Sequence, residues 1–479
     1  MSNLSELLPA GGGGKSVDFV ASGTLGSGVT VALNSDGTVE AVSSVSAGFG
    51  SLSQWSASPN YRPSTSVYCG NNKFVVFYTT TSSQLYAIVG TISGTTITYG
   101  AEVSIGATLG NEDRYYTAVH YDQVNDKVVF FYTNNSNSGY PTARVGSISG
   151  TTLTFGTAVV LNSSDAAWGL FVTHDTSVNK FVALYRQGSS TPKVRVGTVS
   201  GTAISFGTQL SIGSTDVVMQ TGSPCFDSNV NKSFFQFRTD FGSDIKSYVV
   251  TVSGTSATSS ALQTVCSGTG GTGYSASSFD KSQNKIILFF NANKTKVITI
   301  AANGTLSLGS EVTNSANFGS DVRVEAVYSD ADSKVYLCGY NSSTNSATLY
   351  PATISGTVPS IGTLLSLSIS SISYSCSIAY NYDAKQIIAT AVPTSPQVGK
   401  TKIYQLGYSN STDFIGITDQ AIADTATGAV IVQGGVSEKV SGLTTGSDYY
   451  VQSNGTLSTT VSSVPAGRAL STTSILLEG

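Results

Sequence analysis

The feature that most limits what this chain can fold into is a repeat of about 52 residues. Its first half is a strand ending in an aromatic, a polar turn ending in Lys, and an apolar strand. It reads HYDQVNDKVVFFY at His120–Tyr132, THDTSVNKFVALY at Thr173–Tyr185, CFDSNVNKSFFQF at Cys225–Phe237 and SFDKSQNKIILFF at Ser278–Phe290. Weaker copies are VYCGNNKFVVFY at Val67–Tyr78, VYSDADSKVYLCGY at Val327–Tyr340 and AYNYDAKQIIATAV at Ala379–Val392. The matching positions are Lys73, Lys127, Lys180, Lys232, Lys285, Lys334 and Gln386, at gaps of 54, 53, 52, 53, 49 and 52. The apolar strand does not alternate, as expected of a strand buried on both faces.

The second half of the repeat is a tight corner, as in VGTISGTTITYG at Val89–Gly100 and VGSISGTTLTFG at Val145–Gly156. Its glycines are Gly94, Gly150, Gly201, Gly254, Gly304 and Gly356. Tight hairpins need positive φ, which glycine supplies without a steric penalty. Four strands in such a unit, repeated four to eight times, is the signature of a β-propeller. The expected fold is therefore all-β, a seven-bladed β-propeller of four-stranded blades. Seven Lys hairpins stand against six glycine corners, and a matching corner, ALNSDGTVEAVSSVS with Gly37, lies at Ala32–Ser46. The expectation is a ring closed by the N-terminal segment, with strand 37–46 completing the last blade and removing two open edges.

Charged residues make up only 11% and the net charge is −4, against about 25% charged in ordinary domains. There is no basic field to attract nucleic acid or an anionic membrane. No apolar run approaches the ~18 residues of a spanning helix, so membrane insertion is not expected. The start, MSNLSELLPAGGGGKSVDF, lacks the charge and apolar core of a signal peptide. Cys69, Cys225, Cys266, Cys338 and Cys376 show no metal spacing and read as small buried residues. Neither a cofactor nor a metal site is expected.

Residues 1–28, rich in Gly and Ser, read as a flexible or partner-ordered arm, 29–412 as the propeller, and 413–479, where the period breaks, as a small β module. Strands are expected at Val430–Gln433, Tyr449–Gln452 and Ser474–Leu477, with a hairpin at Asn454-Gly455. FIGITDQAIADTATGAVIVQGG, SGLTTGSDYYVQSNGTLSTT and AGRALSTTSILL together resemble a module recurring near the C-termini of bacteriophage tail-fibre and other virion appendage proteins. SGTLGSGVTVALNSDGTVEAV resembles the segment that precedes the propeller repeats of such proteins. The resemblance implies a structural or host-recognition role in a virion, with other virion proteins as partners and a homo-oligomeric assembly.

Propellers can be hydrolases, so residues decide the chemistry. The innermost strands carry almost no carboxylate; Glu325 and Arg323 are the exceptions and read as an ion pair. Glycoside hydrolysis needs two carboxylates. Asp122, Asp175, Asp227 and Asp280 recur once per repeat in the turn before Lys, which marks a backbone-capping role. His120 and His174 fall one residue out of register, which points them to opposite faces and argues against a shared site. The candidate binding residues lie in loops joining one blade to the next: Trp55, Tyr61, Arg62, Asn111, Asp113, Arg114, Tyr115, Asp165, Trp168, Tyr274, Asn317 and Phe318. Aromatic plates flanked by Asn, Asp and Arg suit glycans; the alternative is that the aromatics plug the rim. The expected protein is a phage tail fibre, spike or decoration protein, not an enzyme, binding host-surface glycan through the propeller rim. The alternatives are a purely architectural virion component and a glycan-degrading propeller.

Overall fold

The computed structural model describes residues 15–34, 36–56, 65–80, 82–109, 117–188, 191–213, 223–238, 244–267, 275–291, 293–314, 316, 318 and 324–478. No α-helix occurs among them; the structure is strands and turns, with short 3-10 segments at Asn135–Asn137 and Ser411–Asp413. The chain divides into two compact units, Gly48–Gln405 and, from its two ends together, Met1–Ala47 with Leu406–Gly479.

The larger unit holds seven five-stranded sheets of one plan. Four strands form an antiparallel meander, and a fifth short strand pairs back onto the third. The first strands are Thr65–Tyr68, Thr117–Asp122, Ala167–Asp175, Cys225–Asp227, Ala276–Asp280, Glu325–Ser329 and Ile372–Asn381. Each lies against the first strand of the next sheet, and the seventh lies against the first. The fold is a β-propeller. Its core sits in the seams between neighbouring sheets, around residues such as Phe77, Phe130 and Tyr132 in one seam and Val129, Phe131 and Phe181 in the next.

Turn chemistry explains the sheets' regularity. The residue before each repeat Lys or Gln is left-handed: Asn72, Asp126, Asn179, Asn231, Asn284, Ser333 and Lys385, all at φ of 50–55°. Asn and Asp tolerate that region best. The recurrent Asp does cap: Asp122 Oδ1 accepts from the backbone of Val124 and Asn125 at 3.1 Å each, and Asp175, Asp227 and Asp280 do the same in their turns. The six corner glycines all have positive φ.

Ring closure departs from the sequence expectation in one respect. Strand 37–46 does not complete the seventh sheet. Val39–Ala41 pairs with Thr30–Leu33, and Ser44–Val45 pairs with Tyr408–Ser409, both in the smaller unit. The seventh sheet takes instead Gly48–Phe49 and Ser53–Ser56, paired to Gly399–Gln405. The reason is local. In the first three sheets the fourth strand ends in an aromatic and a glycine whose N–H returns to the third strand, as Gly100 to Val89 O and Gly156 to Val145 O at 2.9 Å. Phe49-Gly50 is that copy, with Gly50 N donating to Ile403 O at 2.9 Å. The Gly37 corner is a real hairpin, but a different one.

The boundaries move accordingly. Residues 16–20 are not a free arm: Ser16–Val20 pairs with Thr427–Val432, in a sheet that continues through Phe414–Thr418, Thr30–Leu33 and Val39–Ala41. The C-terminal segment therefore does not stand alone as a module of residues 413–479. Its expected strands are present, as Thr427–Val432, Asp448–Val451 and Ile475–Leu477, and Asn454-Gly455 turns between Tyr450–Val451 and Leu457–Ser458. The N-terminal strands supply the apolar partners that a segment this short lacks: Ala21, Val31 and Val39 pack with Ile415, Ile422 and Val430.

Candidate functional site

The first strands of the seven sheets enclose a cavity of about 190 Å³, to which every sheet contributes. Small polar groups dominate part of the wall: Thr65, Ser66, Thr117, Ser223 and Ser275. They tie the seams together. Ser66 N donates to Ser377 Oγ at 2.8 Å, and Ser277 N to Ser223 O at 3.0 Å. Glu325 is the one carboxylate among the described lining residues, and its Oε2 accepts from Ile378 N at 3.1 Å. Arg323 lies outside the described residues. Among the described lining residues there is no second carboxylate to form an acid–nucleophile pair with it. Among the described residues no three His, Cys, Asp or Glu side chains group as a metal site.

The two histidines correct a sequence argument. An offset of one residue does turn them to opposite faces of their own strands. Adjacent sheets are stacked, however, so opposite faces of neighbours meet in one seam. The rings are 6.5 Å apart, with His174 stacked on Phe181 at 4.5 Å. His120 Nε2 donates to Val172 O at 3.0 Å, which fixes its tautomer, and His174 Nε2 pairs with Asn179 Oδ1 at 2.7 Å. Burial pushes the His120 pKa down to about 4, helped by His174; burial lowers His174 too. Both rings pack in the seam, and His120 also lines the central cavity.

The rim candidates divide. Tyr61, Arg62, Asn111, Asp113, Arg114, Tyr115, Tyr274 and Asn317 lie outside the described residues. Trp168 sits in the strand Ala167–Asp175 at a register irregularity. Asp165 is exposed and accepts from Ala166 N at 2.8 Å. Trp55 and Phe318 are corrections. Trp55 is 6% exposed, its ring 4.8 Å from that of Tyr78 and filling the space above Gly399. Phe318 is 1% exposed, edge-on to Phe289 at 4.9 Å and Tyr350 at 5.3 Å. Neither can stack on a ligand. Each occupies a site made by a glycine on the third or second strand, Gly399 or Gly339, where a Cβ would overlap the ring.

A second aromatic set lies at the other end of the first strands, beside the Lys turns. Tyr68, Tyr121, Tyr328 and Tyr380 end those strands, and Tyr382 joins them. Tyr121 donates to Asp126 Oδ1 at 2.8 Å; Tyr68 and Tyr380 donate across seams to Asp383 and Asp330. Burial first, and those carboxylates second, raise the phenol pKa values of Tyr68, Tyr121 and Tyr380. Tyr121, Tyr328, Tyr380 and Tyr382 are half-buried. The strand-ending aromatic was visible in the repeat, but nothing in one sequence shows that successive copies converge.

No protein-family model matches the chain, and no curated protein matches it by sequence. Solved structures do match. The BP39L lectin from Burkholderia pseudomallei is similar at 11% identity and a TM-score of 0.55, over 74% of this chain and 98% of that one. The Aleuria aurantia lectin, described as a six-bladed β-propeller with a novel fucose recognition mode, aligns at 11% identity and 0.38, over 65% and 98%. BBS1N in complex with ARL6DN aligns at 11% and 0.44, over 75% and 97%. At such identity the likeness to BP39L speaks for the fold alone.

Proposed function

We propose that this chain is a phage virion appendage, a tail fibre, spike or decoration protein, whose seven-bladed propeller binds a host-surface glycan through loops joining one sheet to the next. The observation that carries the glycan reading is a propeller similar to a lectin over nearly that lectin's whole length, with a central cavity whose described wall offers a single carboxylate. Binding without hydrolysis suits that wall. The resemblance of both chain ends supports the virion assignment, together with partnership with other virion proteins and a homo-oligomeric state.

With Trp55 and Phe318 buried, the glycan-contacting set contracts to the loops carrying Tyr61, Arg62, Asn111, Asp113, Arg114, Tyr115, Asp165, Trp168, Tyr274 and Asn317. The burial of those two rings favours the second reading, an architectural virion component whose rim is packed shut. Glycan arrays and host polysaccharide, probed with the full chain, separate the two. The expected result is binding that Arg114→Ala or Trp168→Ala weakens about tenfold or more, the loss of one hot-spot contact, at unchanged Tm. Equal loss from Tyr121→Ala and Tyr382→Ala alone would move the site to the turn end of the cavity. No binding to any host polysaccharide would leave the architectural reading, and shortened polysaccharide after incubation would make the chain a hydrolase.

A further inference from the structure

The smaller unit holds a groove of about 370 Å³, walled by Phe414, Ile415, Val464, Pro465 and Leu477 and flanked by Gln433. Thr412, Ser463 and Glu478 also line it, so an apolar floor carries a polar edge; Val464 and Phe414 are only half-buried and Pro465 is exposed. The chain's N-terminal segment reaches the described region beside it. Lys15 O accepts from Val432 N at 2.9 Å, one residue from Gln433, and the Lys15 side chain lies along Gly434.

The fourteen residues before Lys15 read MSNLSELLPAGGGG and lie outside the described residues. Their composition is uneven. Leu4, Leu7 and Leu8 stand at the spacing of one helical face, Asn3 and Glu6 occupy the positions of a capping box, and Pro9 closes the apolar run. Ala10 and four glycines then lead to Lys15. Five such residues span at most ~17 Å, which reaches a groove that starts one residue from Lys15's partner. A short flexible tether sets an effective concentration in the millimolar range, so even weak affinity keeps the groove filled.

We infer that the groove is a docking site for the chain's own Leu4–Pro9 segment, bound in cis with its leucines against Phe414, Val464 and Leu477. Occupancy covers apolar surface that two copies could otherwise share. The placement is independent of what the propeller binds.

The test uses the full chain carrying Leu8→Cys and Val464→Cys, oxidised with diamide. Trypsin then releases Met1–Lys15 and Val440–Arg468, or Ala469–Gly479 for the reference pair, and mass spectrometry reads whether the two peptides are joined. The reference pair is Leu8→Cys with Leu470→Cys, the latter position 49% exposed. The expected result is joining about tenfold or more faster than in the reference pair, unchanged on twentyfold dilution, as an intramolecular contact requires. Adding Leu4→Asp and Leu7→Asp should return the rate to the reference. Equal rates for both pairs, or no response to the aspartates, would overturn the inference. So would joined dimers whose yield falls on dilution, which would seat a second copy in the groove. Pro465→Cys replaces Val464→Cys should the latter lower Tm.

Discussion

Burial keeps the His120 imidazole neutral in the seam between the second and third sheets, where its N–H must donate to Val172 O. The folded chain takes up this proton only near pH 4, whereas the unfolded chain takes it up near 6.5. Acid therefore favours the unfolded state: the contribution is complete above pH 6.5 and is lost as pH falls toward 4. Tm measured from pH 7 to pH 4 should fall more steeply for the native chain than for His120→Gln, whose amide can donate to the same carbonyl. The difference should reach about 1–3 kcal/mol at the acid end. Parallel curves would mean that His120 titrates like an exposed residue. The capping aspartates show the opposite kind of legibility. Their role followed from type and position alone, because an Asx turn is closed by atoms within three residues.

At the scale of the element, glycine sets how closely neighbouring sheets approach. A Cβ on Gly156 would lie 2.0 Å from Thr202 O, and one on Gly100 2.3 Å from Thr151 O. The fourth strands of the first, second, third and fifth sheets thus rest on the Ser-Gly-Thr corner of the next sheet. The pattern continues through ring closure, where a Cβ on Gly50 would lie 2.4 Å from Thr95 O. A Cβ on Gly362 in the sixth sheet would meet Pro351 of its own sheet, with Cγ nearest at 3.0 Å, because the seventh sheet has no corner hairpin to offer. Gly156→Ala should cost about 1–3 kcal/mol by overpacking, and Gly362→Ala less. Comparison of the two by denaturant unfolding checks this; equal losses would assign the effect to strand propensity and not to the approach.

At the scale of the whole molecule, the seventh sheet is assembled from both ends of the propeller sequence, and Trp55 fastens it. Its ring covers Gly399 and contacts Tyr78 of the first sheet. Trp55→Ala should lower stability by about 3–5 kcal/mol, the range for emptying a buried aromatic site. Glycan binding per folded molecule should stay unchanged. Intact stability with lost binding would return Trp55 to the ligand site.

The repeat period, the turn residues and the buried second strand were legible in the sequence because each is settled by contacts a few residues apart. The need for closure was legible too, as a count of seven hairpins against six corners. Which N-terminal strand closes the seventh sheet was not. Gly37 satisfies the local turn rule and Phe49-Gly50 matches the end of a fourth strand, and only pairing with Gly399–Gln405 shows that the second closes the sheet. The convergence of His120 with His174, the burial of Trp55 and Phe318, and the joining of both chain ends in one unit also belong to tertiary structure. Each depends on which faces of distant strands meet across a seam, and no spacing along the chain encodes that.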